Sequence, residues 1–483
     1  MEGKKMSNTT TSLASKRIMS LLDENSFVEI GAGVKARNTD FNMAETATPS
    51  DGVITGYGVI DGNLVYVYSQ DVSVLNGTIG EMHAKKIANL YDLAMKTGAP
   101  VIGLLDCVGF RLQEATDALN AFGEIYQKQA MASGVIPQIT GVFGVCGGGL
   151  AVSCAMTDFT LMSTKDAQLF VNSPNAIEGN YEEKCDTSSA QYQSEQTGLV
   201  DVTGDEDQIL AKIRELICML PANNEDDASY EECTDDLNRV CENLAGCAGD
   251  TALSLAQISD NHVFFQVKEN YAKDMVTGFI KLNGITVGAV ANRSEVYDMD
   301  GNKVEEFDGC LTSRGCRKAA QFVRFCDAFS IPVLTLTNVT GYSAGKCSER
   351  TIGESVAKLT YAFAEATVPK VNVIVGKAFG NAYVTMNSKA LGADLVYAWK
   401  DAQIGMMDAK LAAKIMYNGS DMKTINEKAS EYAKLQSSVE SAAARGYVDT
   451  IIDPQDTRKY LISAFELLFA KREDRPAKKH ETV

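Results

Sequence analysis

Hydrophobic positions along the chain fall into blocks that occur twice. Val53-Ile-Thr-Gly-Tyr57, closed by Asp61-Gly62, reads as strand, tight turn, strand. The pattern returns 222 residues later as Met275-Val-Thr-Gly-Phe279, closed by Asn283-Gly284. An amphipathic helix is predicted after each hairpin. Residues 84–97 put Ile87, Leu90, Tyr91 and Ala94 on one face, and residues 316–330 do so with Phe322, Cys326 and Phe329. Each helix stops before a proline and an apolar strand: Pro100 leads into Val101 to Asp106, and Pro332 into Val333 to Asn338. Further pairs keep the same order. Gly109-Phe110 matches Gly341-Tyr342, and Val135-Ile-Pro137 with its strand to Gly144 matches Thr367-Val-Pro369 with its strand to Gly376. Lys165-Asp-Ala-Gln168 returns as Lys400-Asp-Ala-Gln403. Ordered matches at a slowly growing offset define an internal duplication of a β-β-α unit, so the fold class is α/β.

A chain of 483 residues suits two cores rather than one. The expected organisation is an N-terminal domain over 15–222, an acidic linker over 223–250 crossed by a short helix, and a C-terminal domain over 251–475. The net charge of −18 argues against a nucleic-acid surface, which needs clustered positive charge. No apolar run reaches the roughly 18–20 residues of a membrane span. The start, MEGKKMSNTTTSLASKR, lacks the apolar core of a secretory signal, and its first dozen residues read as a frayed terminus. A cytoplasmic protein is expected. Twelve cysteines include no CxxC pair, which favours buried thiols over a metal or disulfide framework. With only His83, His262 and His480, a histidine triad or multi-histidine metal site is hard to build, and no bound metal is expected.

The chemistry concentrates where the third strand of each half meets a turn of small residues. The first copy is Phe143-Gly-Val-Cys-Gly147-Gly148-Gly149, and the second is Val375-Gly-Lys-Ala-Phe-Gly380-Asn381-Ala382. Small residues opening a helix leave N–H groups free at its positive end, suited to an anion or a developing oxyanion. A phosphate loop is the competing reading, but neither GxxxxGK[ST] nor GxGxxG is satisfied. A purely structural role for glycine would prevail for one such turn; two at equivalent places reverse the balance.

Several stretches resemble the biotin-dependent acyl-CoA carboxyltransferases, especially the propionyl-CoA and methylmalonyl-CoA kinds. In the C-terminal half they are Phe325 to Pro332, Ala364 to Pro369, Lys377 to Tyr383, Met386 to Asp394 and Tyr397-Ala-Trp399. In the N-terminal half they are Leu21 to Phe27, Gly52 to Gly62, Ser133 to Gln138 and Thr157-Asp-Phe159, with Leu220 to Asn224 at the junction. The resemblance runs unbroken over roughly residues 15–470. It implies two tandem crotonase-like domains and a hexamer arranged as a trimer of dimers, each site lying between the N-domain of one subunit and the C-domain of another. It implies that biotin arrives on a separate biotin carboxyl carrier protein, and that biotin, rather than a side chain, is the base toward the acyl-CoA. Partner subunits would be a biotin carboxylase or a sodium-pump decarboxylase. By position, Gly148 and Gly149 would supply one oxyanion hole, for the thioester, and Asn381 and Ala382 the other, for biotin. Gly109, Phe110, Arg111, Gly147, Gly341, Tyr342 and Gly380 would line the substrate sites.

The sequence departs from that family at Asp106-Cys-Val-Gly-Phe-Arg111, at Thr340-Gly-Tyr342, at Gly376 in place of arginine and at Asn381 in place of glycine. These leave open a different acyl chain, weakened activity, a single-step hydratase or thioester hydrolase, and a non-catalytic scaffold. Arg111 and Arg314 follow glycine-bearing loops and read as surface arginines more readily than as contacts for CoA phosphates. Asp106 and Asn338, at strand ends, are expected to cap the next helix. Met95-Lys96 superficially matches a biotin-acceptor site, but its helical setting argues against that reading.

Overall fold

The computed structural model describes residues 12–37, 41–180, 184–226, 231–298, 300–474 and 476. The expected frayed terminus falls on residues 1–11, outside the described residues. The chain divides between Asp226 and Asp227 into two compact units.

In the first unit, β1 (Val28–Ile30), β2 (Val53–Ile60) and β3 (Asn63–Gln70) form an antiparallel meander. Parallel strands β4 (Val101–Cys107), β5 (Gln138–Gly147), β6 (Phe159–Ser163) and β8 (Val202–Gly204) continue it, and β7 (Gln168–Phe170) pairs with the far end of β5. The second unit repeats this order. Its strands β9 (Phe264–Val267), β10 (Met275–Leu282) and β11 (Ile285–Asn292) make the meander. After the side hairpin β12 (Glu295–Tyr297) and β13 (Lys303–Glu306), a short parallel pair forms from β14 (Cys310–Leu311) and β16 (Gly341–Tyr342). The main sheet continues through β15 (Val333–Val339), β17 (Lys370–Phe379), β18 (Leu395–Trp399) and β20 (Thr450–Ile452), with β19 (Gln403–Gly405) on the far end of β17. The duplication read from the sequence is thus a duplication of sheet topology.

Local chemistry explains why these residues form these elements. Asp61 and Gly62 both take positive φ, as do Asn283 and Gly284, giving the two-residue turns whose twist suits a hairpin. In the first unit, α1 (Leu13–Leu21) is followed by α2 (Glu81–Thr97), which ends on Gly98 in the left-handed region. Helix α2 buries Ile87, Leu90, Tyr91 and Ala94 against the sheet, as its spacing predicts. The equivalent helix Ser313–Ala328 starts on Thr312, whose side chain accepts from the Gly315 N–H, and buries Phe322 and Cys326.

One expectation is refined and one is corrected. Residues 231–250, within the expected acidic linker, carry a short 3-10 helix at Leu244–Cys247 and pack on the second unit. Cys241 and Leu244 are buried in the second unit's core, and Asp250 pairs with Arg293 at 2.7 Å while Asp235 pairs with Arg239 at 3.0 Å. The acidic run therefore holds partners for inward-facing arginines. Asp106 and Asn338, by contrast, do not cap helices. Each stands at a register shift, between Leu105 and Cys107 and between Thr337 and Val339, and its side chain turns across to the neighbouring strand. A Cβ on Gly144 would lie 2.0 Å from Asp106 Oδ1, and one on Gly376 would lie 2.6 Å from Asn338 Oδ1. Those glycines are required by close approach. The bulges re-aim the strand ends beside the small-residue turns.

Candidate functional site

At the end of β5, Gly148 adopts φ 62° and ψ −124°, and at the end of β17 Gly380 adopts φ 63°. Both conformations belong to glycine, and each turns the strand into a helix. The helix α4 (Gly149–Met156) follows the first turn, and Gly380–Thr385 forms the second. Matching the two turns through their glycines aligns Gly149 with Asn381 and Leu150 with Ala382. Asn381 is outside the positive-φ residues, so its Cβ introduces no strain there.

One assignment is corrected by this geometry. The N–H of Gly148 donates to the carbonyl of Phe170 at 2.9 Å, continuing the β5–β7 ladder, and is not free for a ligand. The first-turn amides without a described acceptor are those of Gly149 and Leu150, and in the second unit those of Asn381 and Ala382. Gly147, as the last residue of β5, faces Phe170, where a Cβ would meet the ring at 2.8 Å.

Walls around the first turn come from α3 (Ala115–Ala132) and the loop after β4. Phe110 packs edge-on against Phe122 with centroids 4.9 Å apart, and Phe122 packs the same way on Tyr126 at 4.9 Å. A Cβ on Gly149 would meet Phe122, Tyr126 and Phe110 at 3.0, 3.1 and 3.2 Å, so the cradle is filled to the backbone. Gly109, at φ 133°, accepts the Ile79 N–H and carries the loop over to Phe110. In the second unit Gly341 and Tyr342 occupy the corresponding place in β16. Tyr342 Oη lies 3.4 Å from Thr385 Oγ1, on the helix that the second turn opens.

Beneath the first turn lies a polar framework that single positions do not reveal. Gln70 Oε1 accepts the Asp106 N–H at 3.1 Å, and in the second unit Asn292 Oδ1 accepts the Asn338 N–H at 3.4 Å. Gln70 Nε2 lies 3.3 Å from Nε2 of the fully buried His83, whose Nδ1 lies 3.0 Å from the Asp51 carbonyl. A neutral ring donating from Nδ1 and accepting at Nε2 satisfies both contacts. Burial, reinforced by the nearby Arg111 charge, pushes His83 down to about 3. Arg111 is corrected from a surface residue to one of the largest buried side chains. Its Nη1 donates to Asp51 at 2.5 Å and Glu114 at 2.7 Å, and its Nη2 donates to the Thr78 carbonyl. It faces the framework rather than a ligand. Arg314 is exposed, over the Tyr271 ring.

Buried lysines repeat as well. Lys86 Nζ donates to the carbonyls of Ser50 and Val53, and Lys318 Nζ to those of Lys268 and Tyr271, pinning the segment before each hairpin. The missed members of the site (Gln70, Asn292, Lys86, Lys318) were reachable from the duplication, since each pair sits at an equivalent place. Met95-Lys96 lies within α2, with Lys96 exposed.

A duplicated α/β fold with a small-residue turn between strand and helix in each copy defines the class: a tandem crotonase-like enzyme. The carboxyl transferase domain family model matches residues 7–483. The chain is 40% identical to the propionyl-CoA carboxylase beta chain of Roseobacter denitrificans, covering 97% of this chain and 93% of that one. It is 39% identical to methylmalonyl-CoA decarboxylase subunit alpha of Propionigenium modestum, covering 97% and 92%. Among solved structures it is similar to transcarboxylase 12S, described as a hexamer with hydrolyzed methylmalonyl-CoA bound, at a TM-score of 0.90 and 37% identity, covering 97% and 91%. The chain belongs to the carboxyl transferase family, as a carboxyltransferase of the propionyl-CoA carboxylase and methylmalonyl-CoA decarboxylase type.

Proposed function

We propose that this chain moves a carboxyl group between biotin on a separate carrier protein and the α-carbon of a short-chain acyl-CoA, propionyl-CoA or methylmalonyl-CoA. The observation that carries this reading is the repeated turn: two pairs of unpartnered amides, each fixed on a rigid sheet, one for each reactant oxygen. The N–H groups of Gly149 and Leu150 receive the thioester oxygen as negative charge develops on it. Those of Asn381 and Ala382 receive the ureido oxygen of biotin. Aromatic side chains packed at Gly149 exclude a side chain at that position and hold its backbone in place. Biotin supplies the carrier nitrogen and the base for the α-proton. The chain's own contribution is placement and stabilisation of oxyanions by preorganised dipoles.

An imidazole base does not enter. His83 is enclosed and held neutral by its surroundings, and serves the framework. A carboxylase relative and a decarboxylase relative are 40% and 39% identical to this chain, so the same carboxyl-transfer chemistry fits either direction. We assign the direction to the partner, a biotin carboxylase subunit or a sodium-pump decarboxylase subunit. Assembly is proposed as a hexamer, the state named for transcarboxylase 12S.

The test is Gly149→Val. Its side chain collides with the Phe110, Phe122 and Tyr126 rings and misplaces the amide, so carboxyl transfer should fall by about 10²–10³ with the circular dichroism spectrum retained. Ala382→Val should impair transfer to or from biotin more than binding of acyl-CoA. Full activity in Gly149→Val would overturn the assignment.

A further inference from the structure

We propose that Tyr126 is a positioning residue for the reaction, acting through the peptide unit between Gly149 and Leu150. This rests on the reading given above. Tyr126 reaches from α3, and its hydroxyl donates to the carbonyl oxygen of Gly149 at 2.6 Å. That carbonyl and the Leu150 N–H belong to one planar peptide. A donor on the oxygen draws electron density across the unit, strengthens the N–H at its other end and fixes the plane in which that N–H points. Leu150 N–H has no described acceptor, so the polarisation is available to a bound oxyanion.

In the second unit a hydroxyl reaches the same carbonyl by a local route. The carbonyl of Asn381, the residue aligned with Gly149, also accepts from a hydroxyl, Thr385 Oγ1 at 3.1 Å. Thr385 Oγ1 lies 3.4 Å from Tyr342 Oη and 3.3 Å from Thr360 Oγ1. A hydroxyl therefore sits on the same peptide in both copies, although it comes from a different element and a different residue type. The Thr385 contact is the ordinary back-bond of a helical threonine to the carbonyl four residues earlier, so the argument rests on Tyr126, which reaches Gly149 from a separate helix. Tyr126 also has a place independent of its hydroxyl, because its ring is held edge-on against Phe122.

That separation makes Tyr126→Phe a clean probe. The ring stays and the donor goes. In a transfer assay from methylmalonyl-CoA to free biotin, kcat should fall about tenfold, less than the loss of a whole oxyanion donor. KM for the acyl-CoA should stay within about twofold, since the lost interaction grows only as charge develops. The infrared band of a 13C-labelled thioester carbonyl in bound propionyl-CoA should shift to lower frequency less than in the parent chain. Para-aminophenylalanine at position 126 returns an N–H donor and should recover part of the rate. Equal kcat in the parent and Tyr126→Phe, a loss confined to KM, or a Tyr126→Phe chain that does not fold would each overturn the positioning role. A parent chain that transfers no carboxyl group to biotin would instead fail the underlying reading, so the two failures are distinct.

Discussion

Arg111 shows how a single residue is misread from sequence. It follows a glycine-bearing loop, which is how an exposed arginine looks, and its partner Asp51 lies sixty positions earlier. Only the folded sheet brings the two together, at 1% and 0% side-chain exposure. Burying a guanidinium is tolerable when carboxylates surround it, and removing it leaves Asp51 and Glu114 charged and enclosed. Arg111→Met should therefore cost about 3–5 kcal/mol in urea unfolding. A CoA-phosphate contact would behave oppositely, raising KM with stability unchanged. Gly148 is a smaller misreading of the same kind. The glycine run was legible, but which amide it leaves free depends on β7, a three-residue strand that claims the Gly148 N–H.

At the scale of elements the sequence was far more legible. The hairpins, the amphipathic helices and the buried strands follow from turn chemistry and periodicity, and the offset between the halves locates each twice. What periodicity does not encode is the bulge at Asp106 and Asn338, because a register shift changes no apolar position. The starts of the parallel strands hold another repeated device. Asp158 Oδ2 accepts the Gln138 N–H at 2.8 Å where β5 begins, and Asp394 Oδ2 accepts the Lys370 N–H at 2.8 Å where β17 begins. Lys471 pairs with Asp394 at 2.9 Å. At Asp158, burial first and then the nearby Asp201 carboxylate push the group up to about 7. The folded chain thus holds this proton more tightly than the unfolded chain. Its stabilising contribution is full below the ordinary carboxylate range and is lost as pH rises through about 7. Asp158→Asn keeps an acceptor for Gln138 and removes the charge. Its thermal midpoint should exceed the parent's clearly at about pH 8 and little at about pH 5. Equal gains at both would place the origin elsewhere.

For the whole molecule, duplication is both the fold and the functional argument. Two copies of one topology repeat the small-residue turn, and the proposed transfer of a carboxyl group between biotin and an acyl-CoA gives each copy one reactant to hold. Length indicated two cores, and polarity without a strand pattern indicated a linker crossed by a short helix, where the structure also places arginine partners for the acidic residues. No helix among the described residues is long and apolar enough to cross a membrane, which agrees with the hydropathy of the sequence. The most direct measurement is carboxyl transfer by the purified chain. Given carboxyl-labelled methylmalonyl-CoA and free biotin, it should release propionyl-CoA at a rate that depends on biotin, without ATP or added metal. Release of free CoA by thioester hydrolysis, or turnover indifferent to biotin, would contradict the account.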